Sequence, residues 1–264
     1  MKLNTLKTVA AAAATAVVVS LSPALAQDSD LQRILDEKVV RVGAVEAYPS
    51  YRQDLASGEW EGIYPEIVEA LFSQIGVEVE FVPTEWGTAA AGLQSGRFDL
   101  IGGFSARPER ALVVAFTDPV AQVPVGVAFS SEENASLATN WDSLNNSDVR
   151  IAVADGSATM RMVQKMAPNA TFVPVKTEDA AILELESDRV DFFASTESSL
   201  TLYGRARADA VTVNYPEPKI GQDSGFALRK AQPEFQDWLT VSLNSMVSDG
   251  TIPAIRSKFL NPQE

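Results

Sequence analysis

The stretch Ser105-Ala106-Arg107-Pro108-Glu109-Arg110 gathers a hydroxyl and two guanidinium groups into six residues. Pro108 is suited to the first turn of a helix, and Arg110 falls in that turn. A planar guanidinium can hold a carboxylate through two parallel, charge-assisted hydrogen bonds. The alternative is a solvated arginine on a helix surface, and the ligand-binding reading is favoured over it. Catalysis has less to work with. The chain contains no His and no Cys. That excludes Ser-His-Asp triads, histidine general bases, thiolate nucleophiles, disulfides and thiolate or imidazole metal sites. Carboxylates, lysines, tyrosines and hydroxyls remain, and the acids available for proton transfer include Glu46, Asp155 and Glu197.

What must position these groups is an ordinary globular chain of 264 residues, 46% apolar and 21% charged. Its length suits one large domain or two lobes. Its 35 acidic and 21 basic residues give a net charge of −14, which argues against nucleic acid as a partner.

Residues 1–26 read as an export signal. Lys2 and Lys7 are the only charges, Val9–Leu21 is an uncharged apolar run, and Ala24-Leu25-Ala26 has the small-x-small form of a cleavage site. The run is short against the roughly 20 residues of a spanning helix. Cleavage after Ala26 is expected. It removes two cations and no acids, taking the charge from −14 to −16. A free acidic exported protein belongs in a Gram-negative periplasm.

Beyond the signal, strands and helices alternate. Val39–Gly43 reads as a buried strand, and Ile63, Ile67, Val68, Leu71 and Ile75 recur at helical spacing up to Gly76. Val77–Val82 alternates as a strand with one wet face. A helix over 87–94 and a strand over 98–101 follow. Tyr48 comes just after a strand end, where open α/β sheets bind ligands. The order predicts a largely parallel α/β sheet. The pattern then recurs: Phe81-Val82-Pro83 through Arg97-Phe98-Asp99 is echoed by Phe172-Val173-Pro174 through Arg189-Val190-Asp191, with Phe-to-Asp spacings of 18 and 19 residues. Two similar α/β lobes explain the echo, and so does chance likeness between two generic strand–helix–strand units.

Taken together, Arg41-Val42-Gly43, Tyr48-Pro49, Gly58-x-x-x-Gly62, Leu93–Asp99, Pro108-Glu109-Arg110, Phe116-Thr117-Asp118-Pro119 and Asp249-Gly250-Thr251 resemble the type II periplasmic solute-binding proteins. The group they resemble is the polar amino-acid branch, family 3, which serves ABC importers. The resemblance spans about residues 38–260. It implies two mixed, mostly parallel α/β lobes joined by two crossing strands, with lobe 1 at 27–121 plus 222–264 and lobe 2 at 122–221. A solute would bind between the lobes, which close over it by a hinge motion and present it to an inner-membrane permease. It also implies a monomer.

By the same resemblance, Arg110 and Ser105 would hold a ligand carboxylate. Gly102 and Gly103 would let backbone approach it. Tyr48, Phe104 and Trp86 would form apolar walls. Independently of the resemblance, Arg107, three residues before Arg110, is expected to face solvent; if it entered the cleft, the ligand would carry a second acid group. On the far lobe, Asp155-Gly156-Ser157-Ala158-Thr159 resembles a turn that opens a helix, where N–H groups and the Ser157 hydroxyl attract anions; an ordinary N-cap at Ser157 explains those residues equally. The family's ammonium-binding Asp is missing: Thr196 stands there, followed by Glu197. A hydroxyl cannot neutralise an ammonium in a partly dry cleft. Either Glu197 or Glu46 takes over, or the ligand is not an ordinary α-amino acid. No P-loop, dinucleotide fingerprint or calcium loop is present, so no cofactor or metal is expected. Two further readings share the fold: a periplasmic cyclohexadienyl dehydratase and a free-standing ligand sensor.

Overall fold

The computed structural model describes residues 29–261. The expected export signal and its expected cleavage site lie outside them. Among the described residues no helix is long and apolar enough to cross a membrane.

Two sheets carry the fold. In the first, Glu78–Pro83, Val39–Ala44, Leu100–Gly102, Phe226–Arg229 and Val114–Phe116 lie side by side in that order. In the second the order is Thr171–Val175, Arg150–Ala154, Phe192–Thr196, Ala121–Phe129 and Thr212–Asn214, with Ile220–Ser224 also paired to Ala121–Phe129. The two orders are equivalent strand by strand. In each sheet one strand runs against all the others: Phe226–Arg229 in the first and Ala121–Phe129 in the second. The echo read in the sequence is therefore an architectural repeat.

Its aspartates show why the repeat includes them. Asp99 accepts hydrogen bonds from the Arg41 backbone N–H at 2.9 Å and from the Arg41 guanidinium at 2.8 Å. Asp191 accepts the matching pair from Arg150 at 2.8 and 2.7 Å. Each carboxylate ties the turn before a central strand to the start of its neighbour, satisfying an otherwise open backbone donor.

Apolar clusters cover both faces of each sheet. Helix Ile63–Ser73 supplies Ile63, Ile67, Val68, Leu71 and Phe72 to one face of the first sheet. Phe98, Phe104 and Leu93 fill the other. The second sheet is covered by clusters around Trp141 and Phe192 and around Phe193 and Leu200. The chain crosses between sheets twice, and the two crossings pair antiparallel, with Ala121 opposite Ser224 and Val125 opposite Ile220. Two strands side by side form a narrow link about which lobes can rotate.

Element edges shift by a residue or two from expectation. The first and fourth expected segments are Val39–Ala44 and Ala89–Gln94, and the strand expected at 98–101 is Leu100–Gly102.

Candidate functional site

A cavity of about 50 Å³ lies between the two sheets, beside the crossing strands. The first lobe contributes Ser50, Tyr64, Trp86, Gly103, Ser105, Arg110 and Arg256; the second contributes Ser157, Thr159, Glu178, Ser195, Thr196, Ser198 and Ser199; the crossing strands contribute Val123, Gln222 and Ser224. Hydroxyls dominate the wall, so the site is built for hydrogen bonding to a small polar solute.

Arg110 is only 6% exposed. It sits in the helix Pro108–Ala111, with Pro108 in its first turn. Its guanidinium lies 3.6 Å above the centre of the Phe104 ring, which belongs to a stack with Trp86 and Phe116. Its Nη1 donates to the Ser105 carbonyl at 3.2 Å, and its Nη2 to the Gly156 carbonyl at 3.1 Å and the Trp86 carbonyl at 3.5 Å. All three acceptors are neutral. Among the described residues no carboxylate pairs with it. Burial first, then the neighbouring Arg107 and Arg161, push its ionisation down to about 9, with only Glu109 opposing. A buried cation among cations and carbonyls gains strongly from an incoming anion.

The opposite wall starts from two capped helices. Ser157 caps the helix Ala158–Met166, its hydroxyl accepting from the Met160 N–H at 3.0 Å. Thr177 caps the helix Glu178–Glu186 in the same way through Ala180 N–H. That cap makes Glu178 the first helical residue and turns it inward, where it is 8% exposed. The Ser195 hydroxyl donates to its Oε1, and the Ser199 hydroxyl also lowers its charge cost from nearby. Its Oε2 is buried without a hydrogen-bond partner. Burial, reinforced by the charge of Asp179, outweighs those two hydroxyls and raises its pKa to about 7.

The lobes touch at the cavity mouth. A Cβ on Gly156, whose φ is +65°, would lie 2.5 Å from the Gly87 Cα. Arg107 is half-buried, not solvent-facing, because its Nη1 reaches across to the Ser157 carbonyl at 3.4 Å. Lys176 and Glu85 approach to 3.6 Å beside them.

Of the residues singled out in the sequence, Arg110, Ser105, Gly103, Trp86, Ser157 and Thr196 meet in this wall. Four others lie outside it. Phe104 is fully buried beneath Arg110 and supports the guanidinium from below. Tyr48 packs its ring against the Arg52 guanidinium at 4.3 Å. Glu197 is exposed, because it opens the helix after Thr196 and points away. Glu46 is also exposed and accepts from the Gln53 N–H. Sequence reasoning missed Glu178, Ser195, Ser199, Gln222, Ser224, Tyr64 and Arg256. One signal was available for Glu178: Thr177 followed by an acid is a helix start.

Comparison with known proteins follows the same lines. Residues 40–262 match the model of the family described as bacterial extracellular solute-binding proteins, family 3. The L-cystine-binding protein TcyA of Bacillus subtilis is 25% identical over 238 residues, covering 89% of this chain and 86% of that protein. A putative ABC transporter arginine-binding protein 2 of Escherichia coli is 23% identical, covering 84% and 90%. Among solved structures, the ancestral amino acid-binding protein AncCDT-1, described as a precursor of cyclohexadienyl dehydratase, superposes with a TM-score of 0.79 at 30% identity, over 88% of this chain and all of that one. An L-arginine-bound ABC transporter substrate-binding protein from Streptococcus pneumoniae gives 0.79 at 21% identity, covering 89% and 99%, a likeness of fold.

Proposed function

Since the chain belongs to the family 3 bacterial extracellular solute-binding proteins, we propose that it captures a small amino-acid-like solute in the interlobe cleft and delivers it to an ABC permease. The observation that carries this reading is Arg110: a buried guanidinium facing the cavity, backed by an aromatic ring and without an anionic partner among the described residues. A ligand carboxylate supplies the missing charge, with the Ser105 and Ser157 hydroxyls alongside. The relatives' names, cystine- and arginine-binding, support an amino acid as the solute class.

The lobes divide at the crossings, near 121 and 222. The N-terminal segment is an export signal cut after Ala26, and the mature protein works in the periplasm as a monomer, without cofactor. Capture and delivery require no turnover. The dehydratase alternative gains a candidate acid in Glu178, and product formation from its substrate separates it from capture.

The test is a thermal-shift panel on mature, ligand-stripped protein, holding L-amino acids, their des-amino carboxylates, dicarboxylates and betaines. A true ligand at 100 times its Kd adds about 2.7 kcal/mol of stability. Silence from every carboxylate would overturn the reading. Aromatic product from prephenate, seen by ultraviolet absorbance, would favour the enzyme.

A further inference from the structure

Resting on that reading, we propose that Glu178 is the acceptor for the ligand's cationic group, replacing the acid that Thr196 cannot supply and making the cleft selective for zwitterions over bare carboxylates. Three observations carry it. Glu178 and Arg110 line one small cavity from opposite lobes, so a solute that fills it meets both. Oε1 of Glu178 is already held by the Ser195 hydroxyl, while Oε2 is buried and has no hydrogen-bond partner. A buried acceptor left open is costly until a donor arrives. Finally, the other acids near the family's usual position do not compete. Glu197 and Glu46 are exposed and outside the wall, and Asp179 is engaged by the Tyr203 hydroxyl at 2.6 Å.

The placement is a consequence of local structure. Thr177 ends the preceding loop as an N-cap, which fixes the first helical side chain toward the end of the strand Phe192–Thr196. Ser195 on that strand then holds its carboxylate in place. Thr196 completes the arrangement through its hydroxyl, 3.4 Å from that of Ser199.

A proton accompanies the ligand. With Asp179 as a like charge beside it and Tyr203 the titratable neighbour on the facing helix, the empty site holds the Glu178 carboxyl partly protonated near neutrality. Strands Phe192–Thr196 and Thr171–Val175 bring no ionisable side chain to it, and Arg150, the one such group of strand Arg150–Ala154, is paired with Asp191. An arriving ammonium favours the carboxylate, and the carboxyl proton leaves to solvent. About half a proton should be released per ligand at pH 7.

The experiment is calorimetry on the full mature protein, titrated with the tightest-binding of the twenty L-amino acids and with its des-amino acid. The wild type should prefer the amino acid by about 100-fold or more. Glu178→Gln should weaken the amino acid by about 30-fold or more, leave the des-amino acid within about threefold, and abolish proton release measured in buffers of different ionisation enthalpy; Glu178→Asp should recover part of the preference. Proton release by the wild type tests the idea even if the glutamine variant fails to fold. Equal binding of both compounds by the wild type, or an undiminished preference in Glu178→Gln, would overturn the assignment while leaving carboxylate capture intact. If no carboxylate binds to any variant, the proposed function falls, and this inference with it.

Discussion

Arg110 of the first lobe donates to the carbonyl of Gly156 in the second at 3.1 Å. The group that faces the ligand therefore also reports whether the lobes are closed. Gly156 is the residue that makes so close an approach possible. Its φ of +65° suits glycine, and an added Cβ would stand 2.5 Å from the Gly87 Cα. Gly156→Ala should prop the cleft open and weaken ligand binding about tenfold or more, besides costing about 1 kcal/mol or more in backbone strain. Gly87→Ala meets Gly156 at 3.9 Å, ordinary contact, and should bind nearly as the wild type does. Calorimetry together with the ligand-induced change in radius of gyration separates the two variants. Matching behaviour would mean that closure does not run through this contact.

Replacing Arg110 tests the anion site from its other side. Arg110→Met should cost about 3 kcal/mol of binding, over a hundredfold in Kd. The empty protein should not be destabilised to match, because the variant removes a buried cation that lacks a counter-charge among the described residues. Arg110→Lys keeps the charge but loses the planar fork and its seat on Phe104, so it should recover little. Unchanged affinity in Arg110→Met would remove the main support for carboxylate capture.

The backbone of this picture was legible in the sequence because it is local. The strand–helix–strand echo rests on apolar periodicity and on Arg-x-Asp elements that recur wherever the fold does. Arg110 and Ser105 were visible as one short motif. Glu178 was not. Its partner Ser195 lies 17 residues away, and only folding sets them together. Searching beside Thr196 for a substitute acid led to Glu197, whose side chain the start of a helix directs outward. Phe104 shows the converse: an aromatic read as a cleft wall instead sits one layer behind it, under the guanidinium.

The two repeated aspartates should differ in worth although they do the same job. Asp99 is 3% exposed and meets both Arg41 and Arg33, the latter at 2.6 Å. Asp191 is half-buried, and its partner Arg150 is more exposed than Arg41. Asp99→Ala should cost about 3–5 kcal/mol, since it strands buried donors. Asp191→Ala should cost about 1–2 kcal/mol. Urea unfolding measures both, and equal losses would show that burial does not set the difference.

Glu178 also predicts how the empty protein responds to pH. Burial raises its folded pKa from 4.5 to about 7. Unfolded chains give up this proton near pH 4.5, whereas the folded chain keeps it until about 7. The residue's contribution is therefore most favourable at low pH and declines as pH rises across that window. The full change is about 3 kcal/mol, from 1.36 kcal/mol per pKa unit. Other carboxylates act in the opposite direction: Asp191, whose burial is outweighed by Arg150, is held below its usual pKa and stabilises the fold once ionised. The informative quantity is thus a difference, the stability of wild type minus that of Glu178→Gln, followed from pH 4.5 to 8 by urea unfolding without ligand. It should fall by about 3 kcal/mol over that range. A flat difference would mean that water reaches Glu178 in the empty cleft and that its carboxylate is ionised before any ligand arrives.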